Sequence, residues 1–154
     1  MRKHHALALL ASIAAFGFFG STSASAAQPA ASVETAHGSV APAAKSDCPA
    51  GSFCVWVNSN YSDGPAKFSG NNSDWTQFSH ASCASGTWNN CATSGFNNGT
   101  SGLGVVVWQL VGGSGDGACL PRGWALSDFQ GYVWPNTTDS FNDSISANVW
   151  SSNC

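Results

Sequence analysis

The stretch Phe141-Asn142-Asp143-Ser144-Ile145-Ser146 restates an earlier one, Phe96-Asn97-Asn98-Gly99-Thr100-Ser101. Each copy sets an aromatic residue before paired Asn/Asp, leaves two spacers and then supplies a serine hydroxyl. Each is followed by an apolar run ending in tryptophan, Val105-Val106-Val107-Trp108 in one case and Val149-Trp150 in the other. Asn, Asp and Ser side chains bend a chain by bonding nearby backbone groups, so the unit reads as a turn entering a buried strand. A unit that occurs twice predicts two similar β modules packed against each other.

All six cysteines and all seven tryptophans lie from Cys48 to Cys154, which marks residues 48–154 as the folded domain. About 107 residues fold alone only marginally unless crosslinked. Ahead of them stand a basic head, Met1-Arg2-Lys3-His4-His5, an apolar run from Ala6 to Gly20, and small residues at Ala24-Ser25-Ala26. Residues 1–26 therefore read as a secretory signal peptide. Its apolar run is shorter than the ~20 residues a membrane span needs. No other stretch is apolar enough to cross, so a secreted, extracellular protein without membrane contact is expected. Residues 27–47, rich in Ala, Ser and Pro and without periodicity or aromatics, read as a disordered linker or short pro-segment.

Loss of the signal removes Arg2 and Lys3, and Lys45, Lys67 and Arg122 then face eight acidic residues, a net charge of about −5. A chain of that charge does not neutralise phosphates, which excludes nucleic acid as a partner. A monomer is expected.

Six cysteines in a secreted chain of this size imply three disulfides, for which fifteen pairings exist. Spacing favours Cys48–Cys54 around a Pro-Ala-Gly turn and Cys83–Cys91 around a Gly-Thr-Trp loop, leaving Cys119–Cys154; a Cys83–Cys119 pairing would frame the second half differently. No Cys-x2-Cys pair is present for a thiolate metal site. Phe53 to Val57 and Val105 to Val111 read as strands feeding turns, and no window carries capped helical spacing. The fold class is all-β, a sandwich or Greek key, with at most a helical turn near Trp75 to Phe78. Trp56, Trp108 and Trp150 belong to apolar runs and are assigned to the core. Trp75, Trp88, Trp124 and Trp134 stand among polar residues, and either pack the sheets or form an aromatic surface for a protein or a sugar.

The run Cys48-Pro49-Ala50-Gly51-Ser52-Phe53-Cys54-Val55-Trp56, the Tyr61-x-x-Gly64 that follows, and the two Asn/Asp-x-x-Ser turns resemble the βγ-crystallin-type domains of secreted bacterial proteins. In particular they resemble peptidase inhibitor family I36, whose known member inhibits Streptomyces and thermolysin-like metalloproteinases. The resemblance implies a disulfide-stabilised double Greek-key β-sandwich over 48–154. In such domains the second Asn/Asp, the next carbonyl and the serine hydroxyl can hold Ca2+. Carried over, that names Asn98, Gly99 and Ser101 in one turn and Asp143, Ser144 and Ser146 in the other. With one carboxylate among them, any Ca2+ binding would be weak, in the range of about 10⁻⁴ to 10⁻³ M. No cofactor is required, and the alternative to ligation is that these groups simply hold their turns.

Catalysis is not expected. Only His37 and His80 outlast signal cleavage, Glu34 is the only glutamate, and neither a Gly-x-Ser-x-Gly elbow nor a His-Glu-x-x-His helix occurs. A non-enzymatic inhibitor works by offering a rigid loop to an active-site cleft. The segment from Gly112 to Pro121 is the candidate, with Cys119 followed by the apolar Leu120 facing an extracellular metalloproteinase. The competing function is a calcium- or carbohydrate-binding module, or a killer-toxin-like protein, though the acidic charge disfavours meeting anionic membranes.

Overall fold

A computed structural model describes residues 44–154 of the protein. The signal peptide expected over 1–26 lies outside the described residues, as does the linker expected over 27–47 up to residue 43. The last residues of that linker differ from the expectation. Lys45–Asp47 form a 3-10 turn, closed by Asp47 N–H on the Ala44 carbonyl at 2.9 Å and by the Asp47 carboxylate accepting from Ala44 N–H at 2.7 Å. The Lys45 ammonium lies 4.9 Å from the centre of the Phe96 ring, which ties this entry to the domain.

Seven strands follow in chain order: β1 (Ser52–Trp56), β2 (Ala66–Phe68), β3 (Ser94–Asn98), β4 (Gly104–Leu110), β5 (Ser114–Leu120), β6 (Ala125–Leu126) and β7 (Ala147–Ser151). They form two antiparallel sheets, β2-β1-β3-β6 and β5-β4-β7. Phe53, Val55 and Phe68 from the first and Val105, Val107 and Leu120 from the second share one core, so the sheets form a sandwich. A short helical turn, Trp75–Gln77, drops Trp75 into that core, where it stacks on Phe68 with ring centres 4.5 Å apart.

β1 is buried along its whole length because both of its faces are covered. Phe53 and Val55 point between the sheets, while Cys54 and Trp56 meet a smaller cluster of Cys48, Tyr61 and Phe96. That is why its sequence is a continuous apolar run rather than an alternation. Trp56 and Tyr61 meet edge to face at 5.2 Å, and the equally spaced Trp124 and Phe129 meet at 6.0 Å.

The apolar runs after the two copies of the repeated motif are neighbours in one sheet. Val105 lies opposite Trp150 and Trp108 opposite Ala147. The copies themselves differ: Phe96 to Asn98 end β3, whereas Phe141 to Ser144 lie in no strand. The difference arises because β3 is drawn between β1 and β6, with Asn97 opposite Phe53.

Disulfides join Cys48 to Cys54, Cys83 to Cys91 and Cys119 to Cys154, the three pairs that spacing favours. Of the two readings left open for the tryptophans in polar stretches, packing holds for three, while two of those assigned to the core are less buried than expected. Trp75, Trp88 and Trp134, from polar stretches, are buried at 0%, 4% and 0% exposure, whereas Trp108 and Trp150 are only partly buried. Two of these buried indole N–H groups have polar partners: Trp134 Nε1 donates to Ser144 Oγ at 2.9 Å and Trp75 Nε1 to Asn148 Oδ1 at 3.0 Å.

Candidate functional site

The β4–β5 hairpin is tighter than the glycines of the sequence suggest. Residues 112–121, expected to be a loop, are mostly strand: β5 begins at Ser114, and only residues 111–113 turn. Cys119 lies in β5 opposite Val106, and Leu120 lies opposite Val105 with 3% exposure. The Leu120 side chain is part of the inter-sheet core, and its carbonyl accepts from Asn97 Nδ2 at 2.9 Å. The placement of Cys119-Leu120 in a protease-facing loop is therefore corrected. The glycines misled because one of them serves packing. Gly117 lies opposite Trp108, and a Cβ there would come within 2.9 Å of the indole. The ring covers the strand where the glycine leaves room, as aromatic residues do opposite strand glycines.

The accessible apolar residues of this hairpin are at its tip. Leu110 is 53% exposed and Val111 44%. The backbone beneath them is fixed on both sides. The Ser146 hydroxyl donates to the Gln109 carbonyl at 2.8 Å, and Gly112 N–H donates to the Ser73 carbonyl at 2.7 Å. Gly112 and Gly113 turn the chain with φ of 85° and 70°, a conformation that side chains disfavour. At the other end of β5, the Cys119–Cys154 bond crosslinks the hairpin to the end of the chain.

Ser146 thus has a role other than the one expected. It is 2% exposed and hydrogen-bonds Gln109 and Asn90, so its hydroxyl faces the protein. The Ser144 hydroxyl faces the carbonyls of Ser140 and Phe141 at 2.7 and 2.8 Å, and its lone pair accepts from Trp134. Asp143 accepts from Asn142 Nδ2 at 2.7 Å. Burial pushes the Asp143 carboxyl above the ordinary carboxylate value, against opposing hydrogen bonds from Thr93 and Asn142. In the first turn, Asn98 Nδ2 donates to the Cys48 carbonyl at 2.9 Å, and the Gly99 carbonyl accepts from Arg122 Nε at 3.0 Å. The two sets are not gathered around one point: Ser101 opens on a hollow lined by Thr100, Leu103 and Trp150, and Asp143 on another lined by Asn58, Asn90 and Thr93. Tested against Ca2+, which takes six to eight oxygens, this donor set does not fit.

Two other features complete the surface. Tyr132 and Val133, both 53% exposed, border an apolar cavity of about 340 Å3 lined by Leu120, Trp124, Leu126 and Phe141. His80 Nε2 lies 2.9 Å from Asp63 Oδ1 and its ring stacks on Trp88 at 4.5 Å. A hydrogen bond from Ser82, reinforced by His80, holds the Asp63 carboxyl below its ordinary value. Ser82 and His80 both bond the aspartate, so the acid stands in the middle; a nucleophilic triad instead needs the histidine between serine and acid. Among the described residues no three His, Cys, Asp or Glu side chains group to hold a metal ion.

Paired aromatics, two antiparallel sheets and adjacent duplicate strands define a βγ-crystallin-type domain, and a solved structure shares that fold. A structure from work on the evolution of the eye lens βγ-crystallin domain fold is similar with a TM-score of 0.53 at 17% identity, over 68% of this chain and 89% of that one. The N-terminal domain of protein S is similar with a TM-score of 0.45 at 17% identity, over 65% and 94% of the two chains. No curated protein matches the chain. The model of peptidase inhibitor family I36 matches residues 41–120, just over half of the sequence, and the chain belongs to that family.

Proposed function

We propose that the protein is a secreted inhibitor of thermolysin-like metalloproteinases, and that the β4–β5 tip, rather than Cys119-Leu120, enters the active-site cleft. Membership of an inhibitor family and three disulfides, bonds that persist in oxidising compartments, support an extracellular peptidase as the partner. The observation that carries the reading is the exposed pair Leu110-Val111 on a backbone held from both sides, at Gln109 and at Gly112. Thermolysin-like enzymes take a bulky apolar residue just after the scissile bond, and this pair offers one. A hairpin tip enters a cleft, whereas Tyr132 and Val133 border a hollow of their own. Binding such a loop costs little ordering entropy, because its backbone is fixed beforehand.

The test is titration of the oxidised domain against thermolysin and against a trypsin-like serine protease, with Leu110→Asp, Val111→Asp and Val133→Asp as variants. The parent and Val133→Asp are expected to inhibit thermolysin near one-to-one stoichiometry. At least one of the two tip variants should weaken inhibition about 30-fold or more, as expected for a central contact residue. Equal inhibition by both tip variants would remove the tip from the reading, and no inhibition by the parent would remove the metalloproteinase.

A further inference from the structure

We infer that the chain supplies its own cation at the first of its two repeated turns: the guanidinium of Arg122 occupies the Gly99 carbonyl, and the domain folds and holds its turns without calcium. Several oxygens of the two turns already have partners within the protein. Arg122 Nε donates to the Gly99 carbonyl at 3.0 Å, on the backbone oxygen that a turn of this kind would offer a metal ion. Arginine cannot lose its proton in a protein, so that donor is always charged. Among the described residues the one ion pair joins His80 to Asp63, so no carboxylate competes for the Arg122 charge.

Both ends of the contact are fixed before it forms. Gly99 N–H donates to Asn97 Oδ1 at 2.9 Å, and a Cβ at Gly99 would lie 2.6 Å from the Trp150 ring, so the indole confines this backbone. The segment that carries Arg122 is bound to the same turn. Gly123 N–H donates to the Asn97 carbonyl and Asn97 N–H to the Trp124 carbonyl, each at 2.9 Å. Asn97 Nδ2 adds a bond to the Leu120 carbonyl, so the residues on both sides of Arg122 are held by one buried asparagine. The pinned segment leaves only the arginine side chain to be ordered when the guanidinium reaches its acceptor.

The second turn has no arginine and meets its own needs differently. Its one carboxylate, Asp143, is bonded by Asn142 and Thr93. Its serine hydroxyls are bonded to protein carbonyls, Ser144 within the turn and Ser146 at the root of the hairpin tip. Asp143 and Ser144 thus already accept donors from within the protein, and the Ser146 hydroxyl is turned to the interior at 2% exposure.

The experiment is thermal unfolding of the oxidised domain in about 10 mM CaCl2 and in excess EDTA, a concentration well above the ~10⁻⁴ to 10⁻³ M expected of a weak extracellular site. Ligand linkage at such a site would raise Tm by about 5 °C or more. The expected result is one Tm in both buffers, and for Arg122→Ala a Tm several degrees lower in both. Lys67→Ala, which removes another exposed cation from β2, serves as the control and should leave Tm within about 1 °C of the parent. A rise of the parent's Tm with calcium would overturn the inference. So would an Arg122→Ala variant as stable as Lys67→Ala.

Discussion

The Ser146 hydroxyl donates to the Gln109 carbonyl at 2.8 Å, which fastens the second copy of the duplicated motif to the root of the exposed hairpin tip. Ser146 N–H reinforces the link by donating to the Trp108 carbonyl at 2.9 Å. The serine that ends the repeat therefore holds the strand that follows the other copy. Ser146→Ala leaves a half-buried carbonyl without its donor and should cost about 1–3 kcal/mol. Urea unfolding would measure that cost. The same variant should inhibit more weakly than the parent at temperatures where both are folded, because the tip beneath Leu110 is loosened.

Gly99 is required by its neighbours rather than by its backbone angle. Gly99→Ala would place a Cβ 2.6 Å from Trp150 Cζ3 and 2.9 Å from Asn97 Oδ1. A loss of about 1–3 kcal/mol is expected from this overpacking. Combining it with Trp150→Leu should cost less than the sum of the two single changes, because the shorter side chain vacates the space. Additive losses would mean that the ring is not what the new methyl group meets.

The three disulfides close loops of different size, with sequence separations of 6, 8 and 35. Loop-closure entropy predicts that replacing Cys119 and Cys154 together by Ser costs about 4 kcal/mol, and replacing Cys48 and Cys54 about 2 kcal/mol. Chemical denaturation of the two double variants would order them. The reverse order would place the larger contribution in the packing of Cys48 and Cys54, which are buried beside Trp56.

Asp63 and Asp143 should act on stability with opposite signs as pH changes. The Asp63 carboxyl titrates below its ordinary value of 3.8 because Ser82 and then His80 bond its charged form. Its stabilisation is present above that value and is lost as pH falls through the lower folded value. Asp143 titrates above 3.8 because burial disfavours its charge, so above its folded pKa the ionised group weighs against folding. Asp63→Asn should lower Tm near neutral pH and Asp143→Asn should raise it. Asparagine also tolerates the positive φ of 52° at residue 143. The Asp143 difference should vanish in acid below 3.8, and the Asp63 difference only below its own lower folded value; Tm followed between neutral pH and strong acid would show it.

Much of the fold was legible because it rests on local chemistry. The cysteine spacings named Cys48–Cys54 and Cys83–Cys91 as short loops, and the structure joins those pairs. The apolar run from Phe53 to Val57 announced β1, and the repeat announced that β4 and β7 are equivalent strands. The site was less legible. Gly115 and Gly117 read as turn residues, but Gly117 is glycine because the Trp108 ring lies against it across the strand pair. That contact joins residues nine positions apart through a register that only the sheet defines. Leu120 read as an exposed apolar residue after a cysteine, yet the pairing of β5 with β4 turns it into the core.

What the sequence determined by itself is the class of the molecule: an all-β, cysteine-bridged domain built on a repeated turn, recognisable in Cys48 to Trp56 and in the Asn/Asp-x-x-Ser pair. Such features are short-range, because a turn or a small disulfide loop is set by the residues within it. The tertiary structure alone decided which groups are spent and which are free. It gave Ser146 to Gln109 and Arg122 to Gly99, and left Leu110 and Val111 exposed. A hydroxyl or guanidinium can satisfy many acceptors, and which one it meets depends on the strand that packing brings beside it.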